Sequence, residues 1–206
     1  MEKLIKRGAE AEIYLSNYMG REVVIKRRIK KAYRIKEIDE ELRSQRTKKE
    51  ALLMVEARKA GVAVPIIYDV DLKKMEITMQ YVKGNRIKDC LDSMNESVQK
   101  ELCKKIGESI AFLHENGIIH GDITTSNLIL ANERIYFIDF GLGEKSNDIE
   151  KKGVDMHLLM EALKAAHSKE QFFEWVCKGY KKHADWEEVI KKLKEIEKRG
   201  RYMVRE

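Results

Sequence analysis

The feature that most constrains this chain is a run of polar residues followed, after two short apolar segments, by a second carboxylate. The run reads His120-Gly121-Asp122-Ile123-Thr124-Thr125-Ser126-Asn127, and Asp139-Phe140-Gly141 begins twelve residues after Asn127. The apolar segments 128–130 and 135–138 flank a polar turn, so they predict a β-hairpin. Such a hairpin brings the amide of Asn127 and the carboxylate of Asp139 to the same place, where both are able to face one metal ion.

The spacing of these residues resembles that of protein-kinase-like enzymes. The resemblance implies that Asp122 accepts the proton of a substrate hydroxyl, while Asn127 and Asp139 hold Mg²⁺ against the phosphates of ATP. His120 is expected to brace the loop that carries Asp122. The alternative is a histidine and two aspartates on unrelated surface loops, and the matched spacing argues against it. ATP and Mg²⁺ are therefore the expected cofactors.

The upstream part of the chain offers a candidate lysine–carboxylate pair. Lys26 ends an apolar, β-branched run that predicts a strand, and kinases keep at this place a catalytic lysine that meets the α- and β-phosphates. A lysine on a strand is more often solvated, so the assignment depends on a carboxylate that orients it. The helix predicted from about residue 39 to residue 60 offers Glu50. Glu56 is the rival, about a turn and a half away and therefore on another face.

Two further segments complete a predicted nucleotide pocket. Gly8-Ala9-Glu10-Ala11 lies where kinases cover the phosphates, but a single glycine gives the backbone little freedom to approach them, and a plain hairpin turn is the alternative. A strand is predicted over residues 76–82. Backbone groups of Gln80 and Val82 are expected to pair with adenine. Met79 would stand at the back of the pocket, or equally fill the core.

Three segments together resemble one particular family. The run 120–127, Gly8-Ala9-Glu10-Ala11 and Arg46-Thr47-Lys48-Lys49-Glu50-Ala51 look like those of the small atypical kinase subunit of the KEOPS (EKC) complex. The resemblance extends over nearly the whole chain. It implies a Mg²⁺-ATP-dependent serine/threonine protein kinase or ATPase that supports tRNA threonylcarbamoyladenosine modification. The implied partners are the tRNA threonylcarbamoyltransferase subunit and the other KEOPS subunits.

Two other functions remain open at this point. His-Gly-Asp also occurs in small-molecule kinases of the aminoglycoside and choline type, which need an acidic acceptor pocket that a short lower lobe hardly accommodates. The second is a regulatory module that binds ATP without a phosphoryl acceptor and only stabilises a partner complex. The presence of Lys26, Asp122, Asn127 and Asp139 argues against such an inactive site.

The expected fold is α+β and two-lobed, a reduced protein-kinase-like architecture. Residues 1–83 are predicted to form a small N-lobe with a five-stranded antiparallel sheet and one long helix, and residues 84–206 a helical C-lobe. Only 67 residues (206 − 139) follow Asp139, so the activation segment has to be short. Asp155 is expected to open an apolar helix, and it resembles the aspartate that braces a kinase catalytic loop from below.

Two positions depart from the pattern of regulated protein kinases. Gly121 stands where many carry the arginine that binds an activation-loop phosphate, so control by loop phosphorylation is not expected. Thr124 stands where serine/threonine kinases commonly place a phosphate-steadying lysine. Transfer to an ordinary protein substrate is therefore expected to be slow, which makes ATP hydrolysis or autophosphorylation an alternative outcome.

Lysine and arginine exceed the acidic residues by six (41 − 35). Residues 26–36 include seven basic side chains and no acid, and the C-terminal tail is basic as well. A solvated, charged surface is the alternative to a phosphate-binding one. The family resemblance favours contact with tRNA phosphates, for which the candidate residues are Lys30, Lys31, Arg34, Arg199 and Arg201.

Cysteine usage and hydropathy indicate the compartment. Cys90, Cys103 and Cys177 form no C-x-x-C pair and are odd in number, which fits a reduced, cytoplasmic setting. No apolar run is long enough to span a bilayer, so no membrane association is expected.

Overall fold

A computed structural model of the chain describes the backbone of residues 2–203 and the side chains of residues 2–199. Its first part is a five-stranded antiparallel sheet in the order β1-β2-β3-β5-β4. The elements of this lobe are β1 (Lys3–Arg7), β2 (Ala11–Tyr18), β3 (Arg21–Arg28), the long helix α1 (Lys36–Lys59), β4 (Ile67–Asp71) and β5 (Glu76–Gln80). The small antiparallel-sheet lobe of the predicted fold is confirmed.

Strand β3 lies between β2 and β5, so it has hydrogen-bonded neighbours on both sides. Successive side chains of a strand point to opposite faces. Lys26 and Arg28 therefore share one face, and both are buried against α1. Arg27 points to the other face, where it pairs with Glu76. Pairing on both sides fixes the direction in which Lys26 and Arg28 leave the sheet.

The second lobe is mostly helical, as predicted. Its elements are β6 (Asn85–Arg86), α2 (Ile87–Cys90), α3 (Glu96–Glu115), β7 (Ile118–Ile119), β8 (Leu128–Ala131), β9 (Arg134–Phe137), β10 (Glu144–Lys145), α4 (Ile149–Ala166), α5 (Gln171–Tyr180) and α6 (Trp186–Met203). The boundary between the lobes after residue 83 stays a prediction. Within residues 2–203, no helix combines the length and the apolarity that crossing a membrane requires.

Helices α3 and α5 cross at close range, and α5 is an element that sequence analysis did not identify. A Cβ atom at Gly107 would overlap the carbonyl oxygen of Val176, and one at Gly179 would overlap the carbonyl oxygen of Lys104. Glycines on both helices therefore let the two backbones approach each other. Because α3 leads through β7 into the run that begins at His120, this crossing fixes the base of that run.

The predicted hairpin is confirmed as β8 and β9. Leu128 pairs with Phe137, and Asn132 and Glu133 in the turn both have positive φ (47° and 61°), as a two-residue hairpin turn of this type requires. At the open end of the hairpin, the N–H of Ile138 donates to the carbonyl of Asn127 at 3.0 Å. Asn127 and the residue that follows Ile138, Asp139, are thus held at the same end.

The segment after Asp139 is short, as expected. Residues 140–148 contain only β10, which pairs with β7, before α4 begins. The side chain of Asp148 caps α4 by accepting a backbone N–H at 2.8 Å. The expectation that Asp155 opens this helix is therefore wrong, since Asp148 occupies that place. Asp155 lies inside α4, on its buried face.

Candidate active site

Lys26 is the centre of a buried ion-pair cluster. Its Nζ lies 2.5 Å from Oε1 of Glu50, on α1, and 2.7 Å from Oδ1 of Asp139. Burial alone would lower the pKa of Lys26, but the charges of both carboxylates outweigh it, so that pKa is raised and the ammonium group stays charged. Glu56 is not part of the cluster, because it points away and pairs with Lys145. The helix therefore presents Glu50, not Glu56, to Lys26.

Asp122 and Asn127 form a second pair, at the start of the hairpin. Nδ2 of Asn127 donates to Oδ2 of Asp122 at 2.9 Å and to its backbone carbonyl at 3.0 Å. Since the amide nitrogen is committed to Asp122, the amide oxygen is the atom left to face a cation. Partial burial raises the pKa of Asp122 and the charge of Asp139 adds to this, which together outweigh the hydrogen bond from Asn127. Asp122 is thus a half-buried carboxylate with increased basicity.

Asp139 has a backbone conformation that few non-glycine residues adopt, with φ at +66°. Its side chain is 48% exposed and directed at the cleft. Burial tends to raise the pKa of Asp139, but the charge and the hydrogen bond of Lys26 outweigh that effect and hold it below the usual range. An ionised carboxylate therefore stands opposite Asn127 across the end of the hairpin.

His120 connects the two aspartates from behind. Its ring is fully buried and lies 4.4 Å, between centroids, from the ring of Phe140. Burial lowers the pKa of His120 and keeps the ring neutral. Nε2 lies 3.2 Å from the carbonyl oxygen of Ile138, to which a neutral ring donates, and Nδ1 accepts the N–H of Asp122 at 3.3 Å. The ring therefore links the Asp122 loop to the residue before Asp139.

Asp155 anchors the same loop from below. Its side chain is fully buried and accepts the backbone N–H groups of His120 and Gly121, each at 2.7 Å. His114 Nε2 lies 3.3 Å from the same carboxylate, and burial lowers the pKa of His114. Gly121 has φ at +80°, and a Cβ there would overlap the carbonyl oxygen of Leu142. Glycine at this position is therefore a steric requirement of the loop.

Replacing Asp155 with asparagine is expected to lower the free energy of unfolding by about 2–4 kcal/mol, because a buried backbone N–H then faces an amide group that also donates. Urea denaturation measures the change. Asp148→Asn is the matched control on the same helix, since asparagine caps a helix as well as aspartate does. Equal stability of the two variants would remove Asp155 from its anchoring role.

The cleft beside these groups has two connected ends. One is a cavity of about 300 Å³ lined by Val24, Met79, Gln80, Val82 and Ile129, with Lys26 and Asp139 at its inner end. The N–H of Gln80 already donates to the carbonyl of Ile66 at 2.7 Å. The N–H of Gln80 is therefore not available to adenine, and its carbonyl is the backbone group of Gln80 that remains a candidate.

Val82 follows the strand and makes no backbone hydrogen bond within the described residues, so its N–H is available for a base. Met79 lines the cavity and also belongs to the hydrophobic core, so a role at the back of a nucleotide pocket stays a prediction.

The other end of the cleft, about 260 Å³, lies under the β1–β2 turn. It is lined by Gly8-Ala9-Glu10-Ala11 together with Lys26, Asp122 and Asp139. The turn closes with a hydrogen bond of 2.9 Å from the N–H of Gly8 to the carbonyl of Ala11. Glu10 pairs with Arg46 of α1 at 2.9 Å. The turn is thus a plain hairpin turn that also covers the catalytic end of the cleft.

The donor set suits a small, hard cation. Mg²⁺ prefers oxygen ligands and is usually held by one or two carboxylates together with substrate phosphates. Asp139 offers an ionised carboxylate, and Asn127 offers the amide oxygen that its own hydrogen bonds leave free. Within the described residues, no three histidine, cysteine or carboxylate side chains form a metal site of their own. These residues therefore fit a cation that arrives with its phosphates.

One residue of the site was missed by sequence analysis. Arg28 belongs to the basic run of residues 26–36, yet its Nη2 lies 2.5 Å from Oε2 of Glu50 inside the cleft. The two-residue period of a strand was the available signal, because it places Arg28 on the same face as Lys26.

The predicted tRNA-binding residues differ in what they contact. Lys31 lies 3.8 Å from Glu10 and Arg34 lies 3.7 Å from Asp39, so both already have acidic partners. Lys30 is exposed and makes no ion pair with a described residue. Arg199 pairs with Glu150 at 3.0 Å, and the side chain of Arg201 lies outside the described residues.

Residues 3–171 match the family model described as protein kinase domain. The chain is similar to "KEOPS complex subunit Bud32" of Pyrococcus abyssi (strain GE5 / Orsay), with 46% identity over 214 residues that cover 98% of this chain and 97% of that protein. It is also similar to "Probable serine/threonine-protein kinase BUD32 homolog" of Archaeoglobus fulgidus, with 45% identity over 199 residues that cover 96% and 95% of the two chains.

Two further similarities concern a longer protein and a solved structure. A "Probable bifunctional tRNA threonylcarbamoyladenosine biosynthesis protein" of Methanobrevibacter smithii is 42% identical over 98% of this chain, which spans only 37% of that protein. The solved structure titled "WaaP in complex with acyl carrier protein" superposes with a TM-score of 0.63 at 12% identity, covering 96% of this chain and 88% of the other. At that identity the second similarity concerns the fold alone.

Proposed function

The chain belongs to the protein kinase domain family and, within it, to the Bud32 homologues, and from that premise we propose that it binds Mg²⁺-ATP and transfers the terminal phosphoryl group to a hydroxyl or to water. Its place in the cell is the KEOPS complex, where it supports tRNA threonylcarbamoyladenosine synthesis as an atypical serine/threonine protein kinase, an ATPase, or both. Bud32 and the biosynthesis pathway are named in the relatives.

The observation that carries the proposal is the assembly of five groups in one cleft. Lys26, Glu50 and Asp139 are joined by ion pairs, and Asp122 and Asn127 lie in the loop braced by His120 against Ile138, the residue before Asp139. Lys26 has the charge and the direction to bind the α- and β-phosphates, and Glu50 orients it. Catalysis of phosphoryl transfer is mainly positioning and charge stabilisation, for which this arrangement suffices.

Each remaining group has a distinct task. Asp122, whose pKa burial raises, accepts the proton of the attacking hydroxyl or water. Asp139 and the amide oxygen of Asn127 would hold Mg²⁺. That ion, when bound, neutralises charge on the phosphates and orients them. The N–H of Val82 and the carbonyl of Gln80 would bind adenine. The turn formed by Gly8-Ala9-Glu10-Ala11 covers this end of the cleft and excludes water from it.

The nature of the acceptor follows from the short segment after Asp139. Residues 140–148 leave no room for a platform that holds a peptide. Leu142 in this segment is 67% exposed beside the cleft. Because an exposed leucine at the mouth of a cleft gains from being covered, we expect the partner synthase to dock there and to act as cover, regulator or substrate. In its absence, water or a hydroxyl group of this chain is the acceptor that remains.

Mixing the chain with the tRNA threonylcarbamoyltransferase subunit of KEOPS is expected to give a stable complex and a changed rate of ATP turnover. Size-exclusion chromatography detects the complex, and a phosphate-release assay measures the rate. Leu142→Ser should weaken the complex, whereas Leu72→Ser, at an exposed leucine outside the cleft, serves as the matched control. Separate elution together with unaltered turnover would contradict the assignment to this complex.

Contact with tRNA phosphates is proposed for Lys30, Lys31, Arg34, Arg199 and Arg201, on the strength of the net charge and of the family. Log affinity falls with log salt in proportion to the phosphates contacted, at roughly 0.7–0.9 per phosphate. Replacing Arg199 and Arg201 with glutamine is therefore expected to flatten that slope by about one to two units. Fluorescence anisotropy of labelled tRNA over a salt series measures it.

The matched control replaces Lys73 and Lys74, in the β4–β5 turn of the other lobe, with glutamine. These substitutions remove the same charge and are expected to leave the slope unchanged. If the two double variants have equal slopes, the tail residues only solvate the surface.

A cytoplasmic location is proposed as well. The three cysteines are free in the structure, as is usual for proteins of a reducing compartment.

A further inference from the structure

Arg28 is a buried cation that lies beside the catalytic groups. Its side chain leaves β3 on the same face as Lys26 and is only 6% exposed as a residue. Nη2 lies 2.5 Å from Oε2 of Glu50 and 3.4 Å from the carbonyl oxygen of Arg46, so Arg28 contacts helix α1 at two points. An arginine always carries its charge, and a buried charge is stable only when it is paired.

Glu50 is divided between two cations. Its Oε1 binds Lys26 at 2.5 Å and its Oε2 binds Arg28 at 2.5 Å. With Asp139, the cluster contains two positive and two negative groups, which balance. A carboxylate held at both oxygens has little freedom to rotate, so the position of Glu50 does not depend on Lys26 alone.

Nucleotide binding changes the demand on Lys26. In the structure its ammonium group is shared by Glu50 and Asp139. Under the function proposed above, Lys26 would also bind phosphates, and Asp139 would hold the cation. Arg28 is then the partner of Glu50 that has no other task, and it continues to tie α1 to β3.

We infer that Arg28 is a positioning residue, which holds Glu50 and α1 in the catalytic arrangement so that Lys26 stays aimed at the phosphates. This inference rests on the proposed phosphoryl-transfer function. It also gives a physical reason for the expectation, drawn from Gly121, that a phosphate on the short activation segment does not control this chain. The ion pair between Lys26 and Glu50, which an active kinase needs, is already formed, because the permanent charge of Arg28 on β3 holds Glu50 in place.

The alternative role for Arg28 is direct binding of a phosphate. Its guanidinium lines the catalytic end of the cleft, near Gly141, where a Cβ atom would lie 3.5 Å from Nη2. The 2.5 Å contact with Glu50 neutralises that charge, however, and burial restricts its reach. A positioning role and a binding role predict different kinetics.

Arg28→Met is expected to lower kcat for ATP turnover by about 10²-fold, the cost of a small misplacement at a catalytic group, while KM for ATP changes little. Arg27→Met is the matched control. It removes the same charge from the neighbouring position of β3, but on the face that pairs with Glu76, so parent kinetics are expected. Thermal unfolding of each variant without nucleotide reports any loss of folded protein.

Two more variants separate the roles when Arg28→Met folds poorly. Arg28→Lys keeps the charge without the planar fork and is expected to recover part of the lost kcat. Adding Arg28→Met to Glu50→Gln leaves no unpaired buried charge, and it is expected to change kcat by only about twofold beyond Glu50→Gln alone, because coupled sites do not add.

Three results would overturn the inference: a raised KM with unchanged kcat, losses that multiply in the double variant, or equal behaviour of Arg28→Met and Arg27→Met. The failure of the underlying function looks different, since the parent chain itself would then neither bind Mg²⁺-ATP nor turn it over.

Discussion

Replacing Asp122 with asparagine is expected to lower ATP turnover by about 10²- to 10⁴-fold, the usual loss when a general base is removed, while the affinity for ATP stays close to that of the parent. Asparagine retains the shape of the side chain, and its amide oxygen still accepts the hydrogen bond that Nδ2 of Asn127 now donates at 2.9 Å. The loop therefore keeps its geometry and loses only the proton acceptor.

Steady-state kinetics and equilibrium titration with a fluorescent ATP analogue measure the two quantities separately. Asp89→Asn, at an exposed aspartate outside the cleft, is the control for the change of one charge. Turnover by Asp122→Asn within a few-fold of the parent would contradict its role as the base.

The pH dependence of kcat/KM for the parent chain is a second test of the role of Asp122. Burial raises the pKa of Asp122, whereas Lys26 outweighs the effect of burial on Asp139 and lowers its pKa. As pH falls, Asp122 is thus the first of the two to be protonated. The acidic limb of kcat/KM is expected at a pH above the ordinary pKa of an aspartate, and it should be absent from the residual activity of Asp122→Asn.

Replacing Asp139 with asparagine is expected to raise the Mg²⁺ concentration needed for half-maximal turnover by at least about 10²-fold. Removing a group that only orients a metal ligand lowers the metal affinity by about 10- to 100-fold, and removing a ligand itself lowers it further. Turnover measured over a Mg²⁺ series at saturating ATP gives the value.

A measurement without metal provides the control for Asp139. In excess chelator, Asp139→Asn is expected to bind ATP at least as tightly as the parent, because the substitution removes a negative charge beside the phosphates and frees Lys26, which Asp139 now contacts at 2.7 Å. Equal weakening with and without Mg²⁺ would show instead that the substitution damages the cleft as a whole.

The parts of the site that sequence predicts are those encoded by local pattern. Asn127 and Asp139 meet because a hairpin of strongly apolar strands joins them, and Asn132 in the turn is a residue type that tolerates positive φ. Glu50 rather than Glu56 faces Lys26 because the period of a helix separates the two. In both cases the geometry follows from local structure, within one hairpin or within one helix.

The parts that sequence does not predict depend on contacts between distant segments. Helix α5 packs closely on α3 because glycines at the crossing let the two backbones approach, and neither glycine indicates a helix by itself. The sequence predicts Asp155 at the start of α4. In the structure Asp155 lies inside that helix and accepts two backbone N–H groups that are 35 and 34 residues away in sequence. Similarly, a basic run suggests an exposed, charged surface, yet Arg28 is buried against Glu50 and Lys31 forms an ion pair with Glu10.

The most direct test of the central claim is the fate of ATP labelled in its γ-phosphate when the chain is incubated with Mg²⁺. The label is expected to leave ATP as inorganic phosphate or on protein, in a reaction that needs Mg²⁺ and that Asp122→Asn does not perform. ATP that stays intact with the parent chain, at concentrations that saturate binding and in both the absence and the presence of the partner synthase, would contradict the proposal that this cleft transfers phosphoryl groups.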